Sequence, residues 1–146
     1  MRRLLLASAC VLGLAGCLEP ADPLYARRDT NPPGVQSTEP LAGAVIPTDG
    51  ALRVTFSELM DERTLRPGIA VFAGREEVAL RLEVPLLPEG AEDVERGDVP
   101  YTVTVRADGG AFTPGTAYTL VLRTSLTDYE GNALVDEVRV PFRTGP

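Results

Sequence analysis

The sequence predicts an all-β protein: one antiparallel β-sandwich of about seven strands, preceded by a signal peptide and a Pro-rich linker. Apolar and polar residues alternate in several short runs, and this period of two is typical of strands with one buried face. The runs are separated by turn residues, namely Asp49-Gly50, Pro67-Gly68, Asp108-Gly109-Gly110, Pro114-Gly115 and Gly131-Asn132. We therefore assign residues 40–146 to the sandwich.

The chain begins with the pattern of a secretory signal. Met1 is followed by two arginines and by an apolar run from Leu4 to Leu14, and small residues precede the expected cleavage point. The run of about 11 residues is too short to span the ~30 Å hydrocarbon core of a bilayer. Residues 1–16 are therefore predicted to be a signal peptide.

The signal ends in Leu14-Ala15-Gly16-Cys17, which resembles the lipobox of bacterial lipoproteins. The resemblance implies that the Cys17 thiol receives a diacylglycerol, that the chain is cut before Cys17, and that the new N-terminus is acylated. The partner would then be the lipid bilayer. By resemblance to enterobacterial sorting, Leu18 favours the outer membrane. The alternative is an ordinary signal peptide in which Cys17 is incidental.

Residues 17–39 are predicted to form the lipidated N-terminus and a disordered linker. Residues 18–23 and 29–34 are polar and rich in proline, without a period. Proline interrupts helices and central strands. At ~3 Å per residue in a polyproline-like state, such a linker would hold the domain up to ~60 Å from the lipid surface.

The predicted strands carry apolar residues at every second position. Val45-Ile46 is a candidate edge strand and residues 69–72 form a short buried one. The alternating runs are residues 52–56, 78–84, 101–105, 118–122 and 138–142. Arginine recurs at the outward positions, which excludes a sheet buried on both faces. Pro141 predicts an edge position or a bulge in the last strand.

The one helical candidate is residues 57–65, which we expect to form a turn or two. Met60 and Leu65 are predicted to close one end of the core. Ser57 and Asp61 have side chains of the type that caps a helix N-terminus. No amphipathic helix of three turns is found elsewhere in the sequence.

Three further residues are predicted to have structural roles. Tyr118 begins a strand just after a Pro-Gly turn, where a sandwich places a tyrosine corner, with the ring in the core and the hydroxyl bonded to main chain. Asp128 is expected to accept N–H groups of its turn, and Gly131 and Asn132 tolerate positive φ.

Composition excludes several function classes. The chain has 14 basic and 21 acidic residues, and loss of Arg2 and Arg3 with the signal leaves 12 basic residues and a net charge of −9. An acidic surface repels phosphate, so we expect no nucleic-acid partner. The chain has no His and no Lys, so Ser57 and Ser125 lack the usual activating base. We predict no catalytic residues and no cofactor.

Four segments resemble bacterial Ig-like domains of the surface-layer-protein type. They correspond to that family's VTFSExMD, PGTxYTV, TDxxGNxL and FxT patterns and are residues 54–61, 114–120, 127–134 and 142–144. The resemblance covers about residues 40–145 and implies an Ig-like sandwich. Such domains serve as spacers and as binding modules, so the resemblance does not fix a function. The connection from Pro85 to Pro100 is longer and more acidic than the family pattern.

Two groups of acidic residues are candidate sites, one for calcium and one for catalysis. Asp128, Glu130 and Asn132 alternate through one loop and offer the oxygen ligands that calcium prefers. They are weak calcium candidates, because the spacing lacks the full EF-hand ligand set and turn formation explains Asp128 and Asn132. Glu58 and Asp61 form the kind of carboxylate pair that a glycosidase uses, but a domain this small offers little cleft.

Each of two charged surfaces has two possible roles. The acidic connection contains Glu89, Glu92, Asp93, Glu95 and Asp98 and either engages a basic partner or is a solvated loop. The outward arginines are Arg53, Arg81, Arg106, Arg123, Arg139 and Arg143. They either pair with acidic neighbours across strands or bind sugar carboxylates or lipid phosphates.

These observations predict a membrane-anchored, non-catalytic module of the cell envelope that is structural or binds an envelope protein or polysaccharide. One alternative is a carbohydrate-binding or adhesive module. Such a module needs exposed aromatic side chains on which sugars stack, and few are expected here. Tyr101 and Tyr118 are predicted to be buried, and Tyr129 is the one exposed platform expected in the domain. A small envelope hydrolase is disfavoured by the missing His and Lys.

Overall fold

A computed structural model describes residues 29–86 and 99–146. Within these ranges the chain forms nine strands and one helix: β1 (Val35–Glu39), β2 (Val45–Ile46), β3 (Leu52–Phe56), α1 (Glu62–Gly68), β4 (Ile69–Ala73), β5 (Glu76–Glu77), β6 (Leu80–Glu83), β7 (Tyr101–Ala107), β8 (Ala117–Leu122) and β9 (Val138–Thr144). The predicted all-β sandwich is confirmed. The predicted signal peptide, Cys17 and the acidic residues 89–98 lie outside the described residues.

The strands form two sheets. One has the order β1-β3-β7-β6 and the other the order β2-β9-β8-β4-β5. One pair departs from the antiparallel expectation, because β2 runs parallel to β9 with Val45 opposite Arg143.

The core lies between the sheets and is built by the alternation read from the sequence. Its fully buried side chains include Leu52, Val54, Phe56, Val103, Val105, Leu120 and Leu122. Met60 and Leu65 are buried at one end, as predicted. Burying this apolar area is the main stabilising term of such a domain. No helix of the described part of the chain has the length and apolar character needed to span a membrane.

The sandwich begins before the predicted boundary at residue 40. Val35–Glu39, expected to be part of a disordered linker, forms β1 and pairs antiparallel with β3, with Glu39 opposite Arg53. β1 is an edge strand with mostly polar, solvent-facing side chains. Its composition therefore resembles that of a linker, and the prediction for residues 35–39 is wrong.

The predicted strand over residues 78–84 is shorter in the structure, where β6 spans Leu80–Glu83 and the preceding Glu76–Glu77 forms β5 in the other sheet. β5 pairs with β4, and β6 pairs with β7. Between them the Val78 N–H donates to the Val71 carbonyl at 2.8 Å, and the Asp108 N–H donates to the Ala79 carbonyl at 2.9 Å. The chain thus changes sheets at residues 78–79, which belong to the predicted alternating run, so the alternation does not mark the crossing.

Pro141 lies in a strand with a neighbour on each side, not in an edge strand. β9 pairs with β8 along its length, but β2 covers only residues 143–144. The Pro141 carbonyl accepts from the Gly43 N–H at 2.7 Å, on the side facing β2. The nitrogen of a residue in a strand points to the same side as its carbonyl, so Pro141 has its nitrogen where no strand is paired.

The helix begins later than the sequence predicts. α1 spans Glu62–Gly68, and Asp61 is its N-cap, with the Asp61 Oδ1 accepting from the Arg63 N–H at 3.0 Å. Ser57 lies outside the helix. Its Oγ accepts from the Gly34 N–H at 2.8 Å, so its predicted capping role is wrong.

Candidate functional site

The strand pairing brings several segments to one end of the sandwich, here called the N-terminal end and defined as residues 29–34, 57–68 and 123–137. Val35 and Tyr101 both pair with Phe56, so β1 starts and β3 ends there. An isolated bridge between Met60 and Asp128 connects the segment after β3 to the loop after β8. All the sequence-predicted site residues in the described chain except Tyr118 lie at this end.

Asp128 is the centre of the loop at this end. It is fully buried, and its Oδ1 and Oδ2 accept from the main-chain and side-chain nitrogens of Asn132 at 2.8 and 2.7 Å. Asp128 thus accepts a turn N–H, as the sequence predicts. Positive φ occurs at Gly131, at +90°, and in the described chain no residue other than glycine has it. Asn132 therefore does not adopt the positive φ that the sequence analysis allows for it.

Glu58 completes a group of three carboxylates. The carboxylate oxygens of Glu58, Asp128 and Glu130 all lie within 4.8 Å of one another. Two of the three predicted calcium candidates are therefore brought together. The third, Asn132, contributes its amide nitrogen to Asp128 rather than an oxygen to the group. Sequence reasoning missed Glu58 as a member, because no spacing connects it to residues so distant in the chain.

The group is electrostatically unfavourable for Glu58. Burial is the main cause that raises the pKa of Glu58 to about 6. The negative charges of Asp128, Asp29 and, more weakly, Glu130 act in the same direction. Contact with the Ser57 hydroxyl opposes the shift. Such an arrangement favours binding of a proton or a cation.

The segment that enters the sandwich is attached beside these carboxylates. The Asn132 Nδ2 that bonds Asp128 also lies 3.1 Å from the carbonyl oxygen of Asp29, to which it donates. Further along, the Ser57 N–H donates to the Gly34 carbonyl at 2.8 Å, and the Gly34 N–H donates to the Ser57 Oγ. Residues 29–34 are thus held at two points, although the sequence predicts a disordered linker there.

Tyr118 lies away from this group and has a structural role. Its ring is buried and stacks on Phe142, with a centroid distance of 5.4 Å. Its hydroxyl accepts from the Thr113 N–H at 2.8 Å. This is the arrangement of a tyrosine corner.

The residues considered for hydrolysis have other partners. The Asp61 carboxylate binds the Arg63 guanidinium at 2.7 Å, and this hydrogen bond lowers the pKa of Asp61. Glu58 faces Asp128 instead. The Ser57 hydroxyl is bonded to Gly34, and the sequence provides no His or Lys to activate it. The predicted carboxylate pair is therefore not assembled for catalysis.

The outward arginines mostly have acidic partners. Five of the six form ion pairs: Arg53 with Glu39, Arg81 with Asp108, Arg106 with Glu83, Arg123 with Glu77, and Arg139 with Glu137. These pairs are solvent-exposed, so each contributes ~0–1 kcal/mol. Four of these arginines pair with acidic residues on other segments, as the pairing interpretation predicts, whereas the partner of Arg139 lies two residues away in the same segment.

Aromatic side chains follow the predicted exposure. Tyr101 and Tyr118 are buried, whereas Tyr129 is 43% exposed. Tyr25 lies outside the described residues. One half-exposed aromatic side chain is a small platform for sugar stacking.

The chain is similar to known proteins at the level of family and fold. A family model described as "Bacterial Ig-like domain" matches residues 29–144. No curated protein matches the chain.

Several solved structures are similar to this chain. The S-layer protein rSbsC(31-844) is 20% identical over 77% of this chain and 14% of its own, with a TM-score of 0.48. The N-terminal part of the bacterial S-layer protein SbsC is 20% identical over 77% of this chain and 23% of its own, with a TM-score of 0.47. The LD transpeptidase LdtMt1 in complex with imipenem is 19% identical over 77% of this chain and 40% of its own, with a TM-score of 0.47. The chain thus spans less than half the length of each of these structures.

Proposed function

The chain belongs to the bacterial Ig-like domain family, and we propose that it is a lipid-anchored, non-catalytic module of the cell envelope. The observation that carries the proposal is the sequence Leu14-Ala15-Gly16-Cys17 at the end of the signal. In this proposal acylated Cys17 holds the protein in the outer membrane. More than one acyl chain makes such anchoring durable, since each buried CH₂ contributes ~0.8 kcal/mol.

The attachment of residues 29–34 to the sandwich shortens the expected tether. Asn132 binds Asp29, and Ser57 binds Gly34. In this proposal the tether is residues 17–28, which are 12 residues instead of the 23 of the predicted linker at residues 17–39. The domain would stand nearer the lipid surface than a linker ending at residue 39 allows.

The chain enters at the N-terminal end, so this end would face the lipid surface. The opposite end carries the turn at Pro114-Gly115 and the end of β9, where the Gly115 N–H donates to the Gly145 carbonyl at 2.8 Å. That end and the edges formed by β1 and β6 would face the envelope. They are the surfaces on which we propose contact with an envelope protein or polysaccharide.

The non-catalytic part of the proposal is supported by the positions of the candidate residues. Ser57 is bonded to main chain, and Asp61 is paired with Arg63. The sequence has no His or Lys, so none of its Ser or Thr hydroxyls has one of these bases to activate it.

The proposal is tested by fractionating cells that express Cys17→Ala. We expect the parent protein in the outer-membrane fraction and the variant in the soluble fraction or as uncleaved precursor. Cys10→Ala is the matched control, since Cys10 lies within the signal and should leave anchoring unchanged. A Cys17→Ala variant that is cleaved and still sediments with the outer membrane would refute the proposal.

A further inference from the structure

Three carboxylates from two distant segments meet at the N-terminal end. Glu58 follows β3, Asp128 and Glu130 lie in the loop after β8, and their oxygens all lie within 4.8 Å of one another. The isolated bridge between Met60 and Asp128 holds the two segments together. The main chain itself therefore sets the spacing of the three groups.

Among the described residues, Glu58 has no positively charged partner, which is a second observation in favour of a bound cation. Only 5% of it is exposed. Among the described residues its one hydrogen bond comes from the Ser57 hydroxyl at 3.5 Å, beyond the ~2.5–3.0 Å usual for such bonds. That hydroxyl already accepts from the Gly34 N–H. No arginine in residues 29–86 or 99–146 forms an ion pair with Glu58. A buried carboxylate without a strong partner is costly.

Asp128 is oriented for a second partner. Each of its oxygens accepts one N–H from Asn132, and each keeps a lone pair for another contact. Hydrogen bonds of this kind commonly orient metal ligands. Asn132 therefore fixes the direction of the Asp128 carboxylate without using its capacity to bind a cation.

The donors favour calcium among common metal ions. All three side chains offer oxygen, the chain has no His, and its cysteines are both within residues 1–17, so zinc and other borderline-soft metals are disfavoured. Calcium accepts irregular sets of carboxylate, carbonyl and water oxygens. Magnesium requires near-octahedral geometry and keeps most of its waters.

We propose that Glu58, Asp128 and Glu130 form a calcium-binding site, with further oxygens from main chain and water. The bound ion would neutralise the repulsion among the three carboxylates. Asn132 joins Asp128 to the carbonyl of Asp29, so the ion would also stiffen the point where the chain enters the sandwich. This site goes beyond the proposed anchoring function and does not depend on Cys17.

The test uses the full protein, extracted in detergent, stripped with EDTA and titrated with CaCl₂. We expect a dissociation constant of about 10⁻⁴–10⁻³ M, in the range of extracellular modules. At 10 mM CaCl₂ the midpoint of thermal unfolding should rise by about 5–10 °C. Glu58→Gln should weaken calcium binding at least about tenfold, a change of ~1.4 kcal/mol or more.

Two further variants complete the design. Glu130→Gln, at a less buried position, should also reduce the calcium-dependent shift, whereas Glu76→Gln, in exposed β5, should keep it in full. MgCl₂ at 10 mM should give a smaller shift than CaCl₂. No calcium-dependent shift in the parent, a full shift in both site variants, or an equal shift with magnesium would overturn the proposal. Fractionation of Cys17→Ala reports on anchoring separately.

Discussion

Asn132 is joined to Asp128 by three hydrogen bonds. Its main-chain and side-chain nitrogens donate to the two oxygens of the buried Asp128 carboxylate at 2.8 and 2.7 Å, and its carbonyl accepts from the Asp128 N–H at 3.0 Å. The same side-chain amide reaches the carbonyl of Asp29. One asparagine therefore closes the loop, orients the carboxylate and holds the entering chain.

Asn132→Ala should destabilise the protein by about 2 kcal/mol, because it leaves one oxygen of a buried, charged Asp128 without its donor. Urea denaturation of parent and variant measures the difference. Asn31→Ala is the matched control, since the Asn31 amide makes an exposed hydrogen bond to Asp29, and its effect should stay within ~0.5 kcal/mol. Equal losses in the two variants would contradict the role given to Asn132.

Tyr118→Phe should cost about 1–2 kcal/mol, because the Thr113 N–H loses its acceptor. Tyr101→Phe is the matched comparison. The Tyr101 hydroxyl is buried without a hydrogen-bond partner in the described chain, and burial raises its pKa. Its removal should be neutral or stabilising. Thermal unfolding of both variants tests this, and a Tyr118→Phe protein as stable as the parent would show that the tyrosine corner is misassigned.

Gly68→Ala should destabilise the protein by about 1–3 kcal/mol. A Cβ at Gly68 would overlap the side chain of Leu126, which is fully buried, so the core would have to shift to accept it. Gly109→Ala is the control, because a Cβ there meets nothing within 4 Å. Chemical denaturation should show at most ~0.5 kcal/mol for the control, and a stable Gly68→Ala protein would disprove the close approach.

Glu58 should make stability in EDTA depend on pH. The pKa of Glu58 is raised from 4.5 to about 6 in the folded state, so the folded state holds this proton more tightly than the unfolded state. Its contribution to stability is therefore fully present below about pH 4.5 and is lost as pH rises through about 6. The groups facing it are Asp128, Asp29, Glu130 and the Ser57 hydroxyl.

Glu58→Gln removes this titration. The stability of the parent relative to the variant should fall between pH 4.5 and pH 6.5 in EDTA, as measured by denaturation at fixed intervals of pH. Glu76→Gln, which replaces an exposed carboxylate of β5, should show no such trend. A parent and a Glu58→Gln protein with parallel pH profiles would mean that Glu58 is not perturbed.

The sequence predicts those parts of the fold in which one face of a strand is buried. The alternation around Val54, Val103 and Leu120 locates β3, β7 and β8 closely, because apolar residues face the core at every second position. β1 was missed because an edge strand with mostly polar side chains has no such pattern. The change of sheet at residues 78–79 is not visible in the sequence, because these residues belong to the same alternating run as β6.

The carboxylate group was predicted only in part, for a different reason. Asp128 and Glu130 share a loop, so their spacing is visible in the sequence. Glu58 joins them through the pairing of Met60 with Asp128, which is a long-range contact set by how the chain folds. Local spacing contains no information on such a contact. The sequence alone therefore groups Glu58 with its neighbour Asp61, as a carboxylate pair.

The central claim is that the protein is held in the envelope by a lipid on Cys17. The most direct measurement is the intact mass of the protein extracted from native membranes, with fragmentation of its N-terminal peptide. We expect a chain that begins at Cys17 and carries a diacylglycerol and an acyl group on that residue. A mature chain with an unmodified Cys17, or one cleaved at another position, would contradict the account.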